Sequence, residues 1–257
     1  MSKRGQITIY LLIAIVIIAI LGFFIYINNL GLFEKSQTNI EEEVELSEYK
    51  SSAEDYINSC LKYISKDIIL YIGIQGGYYN HPQYYLQDRY FFYSYYFFDG
   101  KNIMPEINII EDEISKAISR ELVYCVNDFQ IFKTKNVKFE QGPIKSITEI
   151  KDKEIRINIK YPITINKDKQ KLKLSEDYET KVYLRFNTAY DVAKYIIKDL
   201  VVDKNNLCLS CILDIAKEKD LDFNFVSYSD NEILFIIVDN RSIIKEDPYR
   251  LMFVARI

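Results

Sequence analysis

The residues best suited to chemistry are two cysteines three positions apart, Cys208 and Cys211, in the run Cys-Leu-Ser-Cys. A pair at this spacing can work as a redox dithiol, supply half of a zinc site or form a structural bridge. A redox pair lies at a helix N-terminus that follows a strand, and the surrounding residues do not predict that context. Zinc would need two further ligands from distant elements. The sequence therefore favours a structural bridge or two buried thiols, and redox chemistry remains the alternative.

The other two cysteines lie on two predicted helices. Apolar residues recur at three- and four-residue spacing before Gly76 and Gly77 and again after Pro105, a pattern typical of helices with one apolar face. Cys60 falls on the apolar face of the first helix and Cys125 on that of the second. If the helices pack antiparallel, these two cysteines meet. In an oxidising exterior we then expect a disulfide that closes a long loop.

No other motif predicts catalysis. The single histidine, His81, precedes Pro82 in a turn and has no second histidine with which to form a metal site or a catalytic triad. The acidic runs 41–43 and 111–113 are typical of solvated faces. The chain also lacks a glycine-rich phosphate loop, a nucleophile elbow and a metal-binding helix motif. We therefore expect no catalytic residue, no metal and no cofactor, and we do not expect an enzyme.

The segment from Tyr78 to Gly100 is dominated by tyrosine and phenylalanine. Tyrosine rings can stack on sugar or ring faces while their hydroxyls stay in water, so the segment could be a ligand platform. It could also be an exposed contact with a protein or a membrane interface. A loop or hairpin packed over the two helices is favoured, because aromatic density alone does not show which face is exposed. The candidate binding surface consists of Tyr78, Tyr79, Tyr84, Tyr85, Arg89 and Tyr90.

Charge limits the partners of the chain. The 257 residues carry a formal net charge of −4, whereas a nucleic-acid surface needs a concentrated basic face. Near the C-terminus, the predicted order of helix, turn, helix and two strands is the same as in a winged helix. The second of those helices, 208–217, presents cysteines and apolar residues instead of a basic groove-reading face. We therefore expect no nucleic acid as a partner.

One triplet matches the acceptor sequence for N-linked glycans. It is Asn240-Arg241-Ser242, and it follows a predicted strand. Asn240 would be a glycan acceptor if this part of the chain lies outside the cell, although such triplets also occur by chance.

The N-terminus gives the strongest indication of where in the cell the protein is located. The run from Ile7 to Ile27 contains no charged residue, and at about 1.5 Å per residue its helix would cross a hydrocarbon core of about 30 Å. Lys3 and Arg4 precede the run and glutamates follow it. Positive flanks stay in the cytoplasm, so we expect a single-pass anchor with the bulk of the chain extracytoplasmic. A secretory signal peptide is the alternative, but its apolar region is shorter and a small-residue cleavage site follows it.

The residues from Lys3 to Thr8, Lys-Arg-Gly-Gln-Ile-Thr, resemble the archaeal class III signal sequence of type IV pilin-like proteins. The resemblance implies that a prepilin peptidase cuts after Gly5 and leaves Gln6 as the first mature residue. The run from Ile7 to Ile27 would then hold the subunit in the membrane or pack it into a filament. Pilin-type subunits usually carry Glu at the fifth mature position, where this chain has Tyr10. The start also resembles anchors of surface proteins of small-genome archaea that share Gly-Gln without the Glu, so a plain anchor remains open.

Beyond the anchor at residues 1–29, the pattern predicts an α+β ectodomain. Residues 30–47 are predicted to form an acidic stalk, as a solvated connection or as a continued helix. A helical region rich in Tyr and Phe, 48–135, is followed by 136–257, where alternating apolar and polar residues predict strands with one wet face. We expect two early helices and a mainly antiparallel sheet with a helical pair, in one or two domains.

These features predict a single-pass, membrane-anchored extracytoplasmic protein with a binding or structural role at the cell surface, in plain or pilin-like form. Its expected partners are the lipid bilayer and other surface or secretion-system proteins. The alternative function is a membrane-tethered thiol–disulfide oxidoreductase that uses Cys208 and Cys211.

Overall fold

The structure of the chain is a computed structural model in which two compact units, Met1–Ser51 and Ser52–Ile257, are distinguished. The residues that it describes are 3–29, 32–132, 137–168, 170–204 and 206–257, with side chains at 12–26 and from 46 onward within those ranges. Helix α1 is Lys3–Asn29 and helix α2 is Leu32–Ile74. Residues 32–47 of the predicted stalk are therefore helical. Glutamate favours a helix, and this stretch contains neither Gly nor Pro.

The described side chains of α1 are apolar on every side of the helix. Residues 12–26 are all exposed, and none of them is charged. In the described part of the chain, no helix combines the length with the hydropathy that a bilayer crossing requires. Gly5 and Gln6 belong to the backbone of α1, and their side chains lie outside the described residues.

The second unit contains three further helices and twelve described strands. The helices are α3 (Ile107–Val126), α4 (Phe186–Val202) and α5 (Leu209–Glu218), with a 3-10 turn at Asn127–Phe132. The strands are β1 (Tyr85–Gln87), β2 (Phe92–Phe98), β3 (Lys101–Asn102), β4 (Val137–Gln141), β5 (Lys145–Ile150), β6 (Glu154–Lys160), β7 (Ile163–Lys167), β8 (Gln170–Lys173), β9 (Asp177–Tyr183), β10 (Asp222–Ser229), β11 (Glu232–Ile244) and β12 (Asp247–Arg256).

Helices α2 and α3 pack antiparallel and are joined by a disulfide. Cys60 and Cys125 form this bond, with their Cα atoms 5.8 Å apart. The hydroxyl of Tyr56 donates to the carbonyl oxygen of Cys125 at 2.9 Å, while Gly77, just beyond α2, lies against Ile110 near the start of α3. The apolar faces of the two helices predicted this pairing.

Backbone hydrogen bonds close the end of α2. The N–H of Gly76 donates to the carbonyl of Gly73 at 3.3 Å, and the N–H of Gly77 donates to that of Ile72 at 2.8 Å. Because Gly76 and Gly77 have φ angles of 65° and 90°, this end is a Schellman motif, a helix stop that glycine favours. A Cβ at Gly73 would lie 2.6 Å from the ring of Tyr249, so this glycine lets α2 approach β12.

The central sheet has the strand order β1-β2-β12-β11-β10, with β3 beside β2. Only the β2–β12 pair of this sheet is parallel among the described strands. Helix α4 covers one face, where the rings of Phe186 and Tyr249 are 6.2 Å apart. The opposite face carries a buried cluster of Tyr93, Tyr95, Leu234 and Val254. Strands β11 and β12 therefore have buried side chains on both faces, among them Leu234, Phe235, Phe253 and Val254.

Two three-stranded antiparallel sheets complete the second unit, in the orders β5-β6-β9 and β4-β7-β8. The edge of the first is tied to α3, because the backbone N–H of Ile150 donates to Glu111 at 2.7 Å. Strands β6 and β9 show the predicted alternation of buried and exposed residues. The β7–β8 hairpin turns through Asp168, which has a φ of 51°. The α+β class, the two early helices and the mainly antiparallel pairing are therefore confirmed.

The aromatic segment contains the hairpin of β1 and β2, which belongs to the central sheet. Residues 92–98 form β2, which lies inside the central sheet between β1 and β12. Residues 92–97 are all buried. A strand that is covered on both faces can place consecutive aromatic side chains in the core, because neighbouring residues point to opposite faces. Much of the aromatic density is therefore core packing.

The first prediction concerns the disulfide between α2 and α3. Replacing both Cys60 and Cys125 with Ala should lower the free energy of unfolding by about 4 kcal/mol, because a bond across a sequence separation of 65 strongly restricts the unfolded chain. Guanidinium denaturation of the full-length protein, followed by circular dichroism, measures this loss. The control is the double Ala variant of Cys208 and Cys211, whose separation of 3 predicts a loss of about 2 kcal/mol. Equal losses would contradict the prediction.

Candidate functional site

A groove lies between α2 and α3 in the second unit. Its volume is about 480 Å³, and Ile64, Ile68 and the disulfide residue Cys125 contribute to its apolar lining. Sites for small ligands have volumes of about 300 to 1,000 Å³, so the groove has the size of such a site. The aromatic and acidic residues that line it are Tyr63, Asp67, Tyr71, Tyr79, Glu121 and Tyr124. We refer to it as the tyrosine groove.

Each of the two carboxylates in the tyrosine groove is paired with a cation from the same chain. Lys245 Nζ lies 2.5 Å from Asp67 Oδ1 and 3.4 Å from the centre of the Tyr63 ring. At Glu121, Oε1 accepts from Arg120 Nε at 3.2 Å. The Arg120 guanidinium also lies 4.5 Å from the centre of the Tyr79 ring. The polar groups of the groove are thus held in place and their charges are balanced.

The backbone places Lys245 at the groove by means of a strained turn. Lys245 and Glu246 connect β11 to β12 with φ angles of 51° and 72°, and their neighbours Ile244 and Asp247 pair directly. Two positive φ angles are typical of a type I′ hairpin turn, which usually contains Asn or Gly. Two non-glycine residues in this conformation cost energy, and such strain clusters at functional sites.

Tyr79 keeps its proton over the physiological pH range. Burial, together with the hydrogen bond to Glu121, raises the pKa of Tyr79 to about 12. Its hydroxyl donates to Glu121 Oε1 at 2.9 Å, and its backbone N–H donates to Glu113 at 3.0 Å. Both acceptors are carboxylates, so both hydrogen bonds are charge-assisted, and the bond to Glu121 orients the neutral phenol at the groove.

Of the six residues of the predicted aromatic surface, only Tyr79 lines the tyrosine groove. Tyr78 is half-buried. Tyr84 stacks on Phe98 with ring centres 4.5 Å apart, and Tyr85 stacks on His81 at 4.8 Å. Two more, Arg89 and Tyr90, are exposed and lie against each other, with the guanidinium 5.5 Å from the ring centre. Five of the six side chains therefore lie outside the lining of the tyrosine groove.

The sequence-based interpretation missed the tyrosines that the helices contribute to the groove. Tyr63 and Tyr124 are 59% and 70% exposed, although each lies on a helix whose apolar stripe was identified. Large aromatic side chains next to that stripe were the available signal. Their convergence depends on the antiparallel packing of α2 and α3, which also brings Tyr71 and Glu121 to the same groove.

The glycan triplet takes part in a buried polar cluster. Asp239 is fully buried and forms a bidentate ion pair with Arg185. Nε of Arg185 donates to Oδ2 of Asp239, and Nη2 donates to Oδ1. The Ser242 hydroxyl donates to Asp239 at 2.5 Å and accepts from the backbone N–H of Arg185 at 3.0 Å. The amide of Asn240 donates to Asp222 at 2.6 Å. The structure thus gives Asn240 and Ser242 roles within the fold.

Cys208 and Cys211 form a second disulfide, with a Cα–Cα distance of 5.3 Å. Cys208 is the N-cap of α5, and its Sγ accepts the backbone N–H of Cys211 at 3.3 Å. The sequence predicted a helix over 208–217 with no strand before it, and α5 begins at this pair as predicted. The helix start is present without the strand, since α5 follows α4 directly in the chain.

Within the described residues, no group of three or more His, Cys, Asp or Glu side chains is arranged to hold a metal ion. Comparisons with protein-family models, with curated proteins and with solved structures found no match. Function is therefore inferred from the residues and geometry of the chain itself.

The polar cluster generates the second prediction. Replacing Asp239 with Ala should lower the free energy of unfolding by about 4 kcal/mol, because Arg185 loses its buried partner and Ser242 loses its acceptor. Thermal and denaturant unfolding measure the change. Asp112→Ala is the matched control, since it removes an exposed carboxylate from an i,i+4 pair with Lys116 and should change stability little. A loss at Asp239 no larger than that of the control would refute a central structural role for the cluster.

Proposed function

We propose that the chain is a single-pass, membrane-anchored extracytoplasmic protein that binds a ligand in the tyrosine groove. The anchoring rests on one observation: residues 12–26 of α1 expose an uncharged, largely apolar surface on every side of the helix. A helix that is apolar all round needs apolar surroundings. With the flanking residues the uncharged run extends from Ile7 to Ile27, a length suited to the hydrocarbon core of a bilayer.

Charge supports the orientation of this anchor. Lys3 and Arg4 precede the apolar run, while glutamates at positions 34, 41, 42, 43, 45 and 48 follow it. Basic residues near a span remain on the cytoplasmic side. The second unit, Ser52–Ile257, would then lie outside the cytoplasm, where its two disulfides are chemically stable.

The pilin-like form of this proposal adds processing. The resemblance at residues 3–8 places a cleavage after Gly5, so that Gln6 begins the mature chain and the apolar helix stays on the protein. Tyr10 stands where a pilin subunit usually has Glu. Without that carboxylate, the free amine of a neighbouring subunit would have no partner in an apolar filament core. A membrane-bound monomer or small oligomer therefore fits this chain better than a self-assembling filament.

The tyrosine groove suits a ligand with an apolar face and a polar edge. The exposed rings of Tyr63 and Tyr124 offer flat apolar surfaces, and aromatic rings pack well on such surfaces. Around them, carboxylate, phenol, guanidinium and ammonium groups can exchange hydrogen bonds with hydroxyls. A pyranose ring combines C–H faces with hydroxyl edges. We therefore infer that the ligand is a neutral saccharide chain.

Charge balance disfavours an ionic ligand. Asp67 is paired with Lys245 and Glu121 with Arg120, so an incoming cation would have to replace a cation of the protein. An anion would meet two carboxylates. A neutral ligand avoids both costs and still uses the remaining hydrogen-bonding capacity of the paired groups.

The third prediction tests the anchor. Replacing both Ile17 and Ile20 with Lys should release the protein from membranes into the soluble fraction, because each charge costs about 3 kcal/mol at the centre of a spanning helix. Alkaline extraction of membranes measures retention. The control replaces the same two residues with Leu and should leave the protein in the membrane.

Two further measurements test the orientation of the anchor and its processing. Protease added to intact cells should digest residues beyond the anchor, and mass spectrometry of protein from its native host should show Gln6 as the N-terminus. Retention of the Lys variant in extracted membranes would overturn the anchor. Protection of the whole chain in intact cells would reverse the orientation, and an intact Met1 or Ser2 would remove the pilin-like form.

The fourth prediction tests the groove ligand. Saturation-transfer NMR on the full-length protein in nanodiscs should detect binding of neutral hexasaccharides of glucose, mannose or N-acetylglucosamine. Tyr124→Ala should weaken this binding about tenfold, because it removes about 1.4 kcal/mol of ring stacking. The ring is 70% exposed, so the substitution leaves the core intact.

Tyr183→Ala is the matched control for Tyr124→Ala. Tyr183 is 71% exposed and lies on β9, and its loss should not change the saccharide signal. Unchanged binding in Tyr124→Ala would exclude the groove as the site. Binding of a lysine-rich peptide in place of the saccharides would keep the groove but refute the ligand class.

A further inference from the structure

The Cys208–Cys211 disulfide differs in surroundings from the other disulfide of the chain. Cys60 is only 4% exposed, whereas its partner Cys125 is half-buried and lines the tyrosine groove. Cys208 and Cys211 are half-exposed at the start of α5, and their neighbours Leu209 and Ser210 are exposed. Both residues of the second disulfide, but only one residue of the first, are therefore open to an attacking thiolate, and access is one of the factors that set the rate of thiol–disulfide exchange.

The start of α5 stabilises negative charge on the sulfur of Cys208. Its Sγ accepts the backbone N–H of Cys211 at 3.3 Å and lies 3.6 Å from the Ser210 hydroxyl. The helix dipole acts in the same direction. Asp199 opposes it, since its Oδ2 accepts the backbone N–H of Cys208 at 3.0 Å. The sulfur of Cys208 thus has one backbone donor and a neighbouring hydroxyl, and a carboxylate lies on the backbone of the same residue.

A separate cavity adjoins this cysteine pair, and its lining combines apolar side chains with Lys204, Asp230 and Asn231. It has a volume of about 400 Å³, and Leu207 and Leu209, on either side of Cys208, line it together with Phe225 and Ile233. Phe225 belongs to β10, the outer strand of the central sheet, which also exposes Val226 and Tyr228. An outer strand with exposed apolar side chains can accept an extended peptide as a further strand.

We propose that Cys208 and Cys211 form a thiol–disulfide exchange site for extended, apolar polypeptide segments that contain two cysteines. The client segment lies along β10 with an apolar side chain in the cavity beside Cys208. This activity goes beyond ligand binding in the tyrosine groove and uses a different part of the second unit.

The exchange proceeds in two balanced steps. A client thiolate attacks Sγ of Cys208, the Cys208–Cys211 bond breaks, and Cys211 leaves as a thiolate that takes up a proton. The second client thiolate then attacks the client sulfur of the mixed disulfide, and Cys208 leaves as a thiolate stabilised by the N–H of Cys211. Two electrons pass from the client to the protein, so the client gains a disulfide and the cysteine pair becomes a dithiol.

The experiment uses the full-length protein in detergent micelles and two synthetic peptides, each with two cysteines. One peptide has Val and Phe beside its cysteines and the other has Ser and Gly. Peptide mapping after acid quenching and alkylation follows both disulfides of the protein. In glutathione buffers, Cys208–Cys211 should be reduced at a thiol concentration at least about tenfold lower than Cys60–Cys125 requires. Cys211→Ser should trap the disulfide form of the apolar peptide, because the Cys208 thiolate opens the peptide disulfide, one peptide sulfur leaves as a thiolate, and no Cys211 is present to release the mixed disulfide. Cys208→Ser should not trap this peptide.

A separate variant and control test the role of the cavity beside Cys208. Phe225→Ala should slow oxidation of the apolar peptide about tenfold, the effect of losing about 1.4 kcal/mol of apolar contact, and should leave the polar peptide unchanged. Tyr183→Ala, which removes an exposed ring elsewhere, should alter neither rate. Equal resistance of the two disulfides to glutathione would overturn the exchange site. Equal rates for the two peptides, or no effect of Phe225→Ala, would overturn the client class. Neither result bears on saccharide binding.

Discussion

The buried ion pair between Arg185 and Asp239 connects the parts of the second unit that carry its candidate sites. Arg185 follows β9 and precedes α4, and Asp239 lies in β11. The same guanidinium also donates to the carbonyls of Lys219 and Asp220, at the end of α5, at 3.1 Å each. One side chain therefore joins the end of a small sheet, an inner strand of the central sheet and the end of α5. A buried charge of this kind is stable only when all its partners are present, so the three elements are held in one arrangement.

The backbone connects the elements joined by this ion pair to both candidate sites. The register of β11 against β12 shifts between Asp239 and Ile243, and the strand then ends in the turn that carries Lys245 to Asp67 and Tyr63. At the other end of α5, the same helix begins at Cys208. The tyrosine groove and the cysteine pair are thus positioned by elements that share a polar anchor. A bulge next to such an anchor re-aims the residues that follow it, and here it directs a cation into the groove.

Local periodicity accounts for the parts of the fold that the sequence predicted. The positions of Cys60 and Cys125 on apolar stripes were enough to predict their disulfide, because a 3.6-residue period shows which face of a helix is buried. The strands β6 and β9 followed from strict alternation in the same way. The contacts that build the groove do not have such a signature. Lys245 and Asp67 are 178 residues apart in the chain, and Arg185 and Asp239 are 54 apart. Only the folded topology brings these pairs together, so their roles were missed.

The redox state of the cysteines and the proposed orientation of the anchor bear on each other. Both cysteine pairs are disulfides, and cytoplasmic thiol systems would keep such pairs reduced. In the cytoplasm, loss of the Cys60–Cys125 bond would remove about 4 kcal/mol of stability, a large part of the total for a domain of this size. Outside it, the same bond is retained. Lys3 and Arg4 favour that side for reasons of charge alone. The anchor and the disulfides therefore support one location on independent physical grounds.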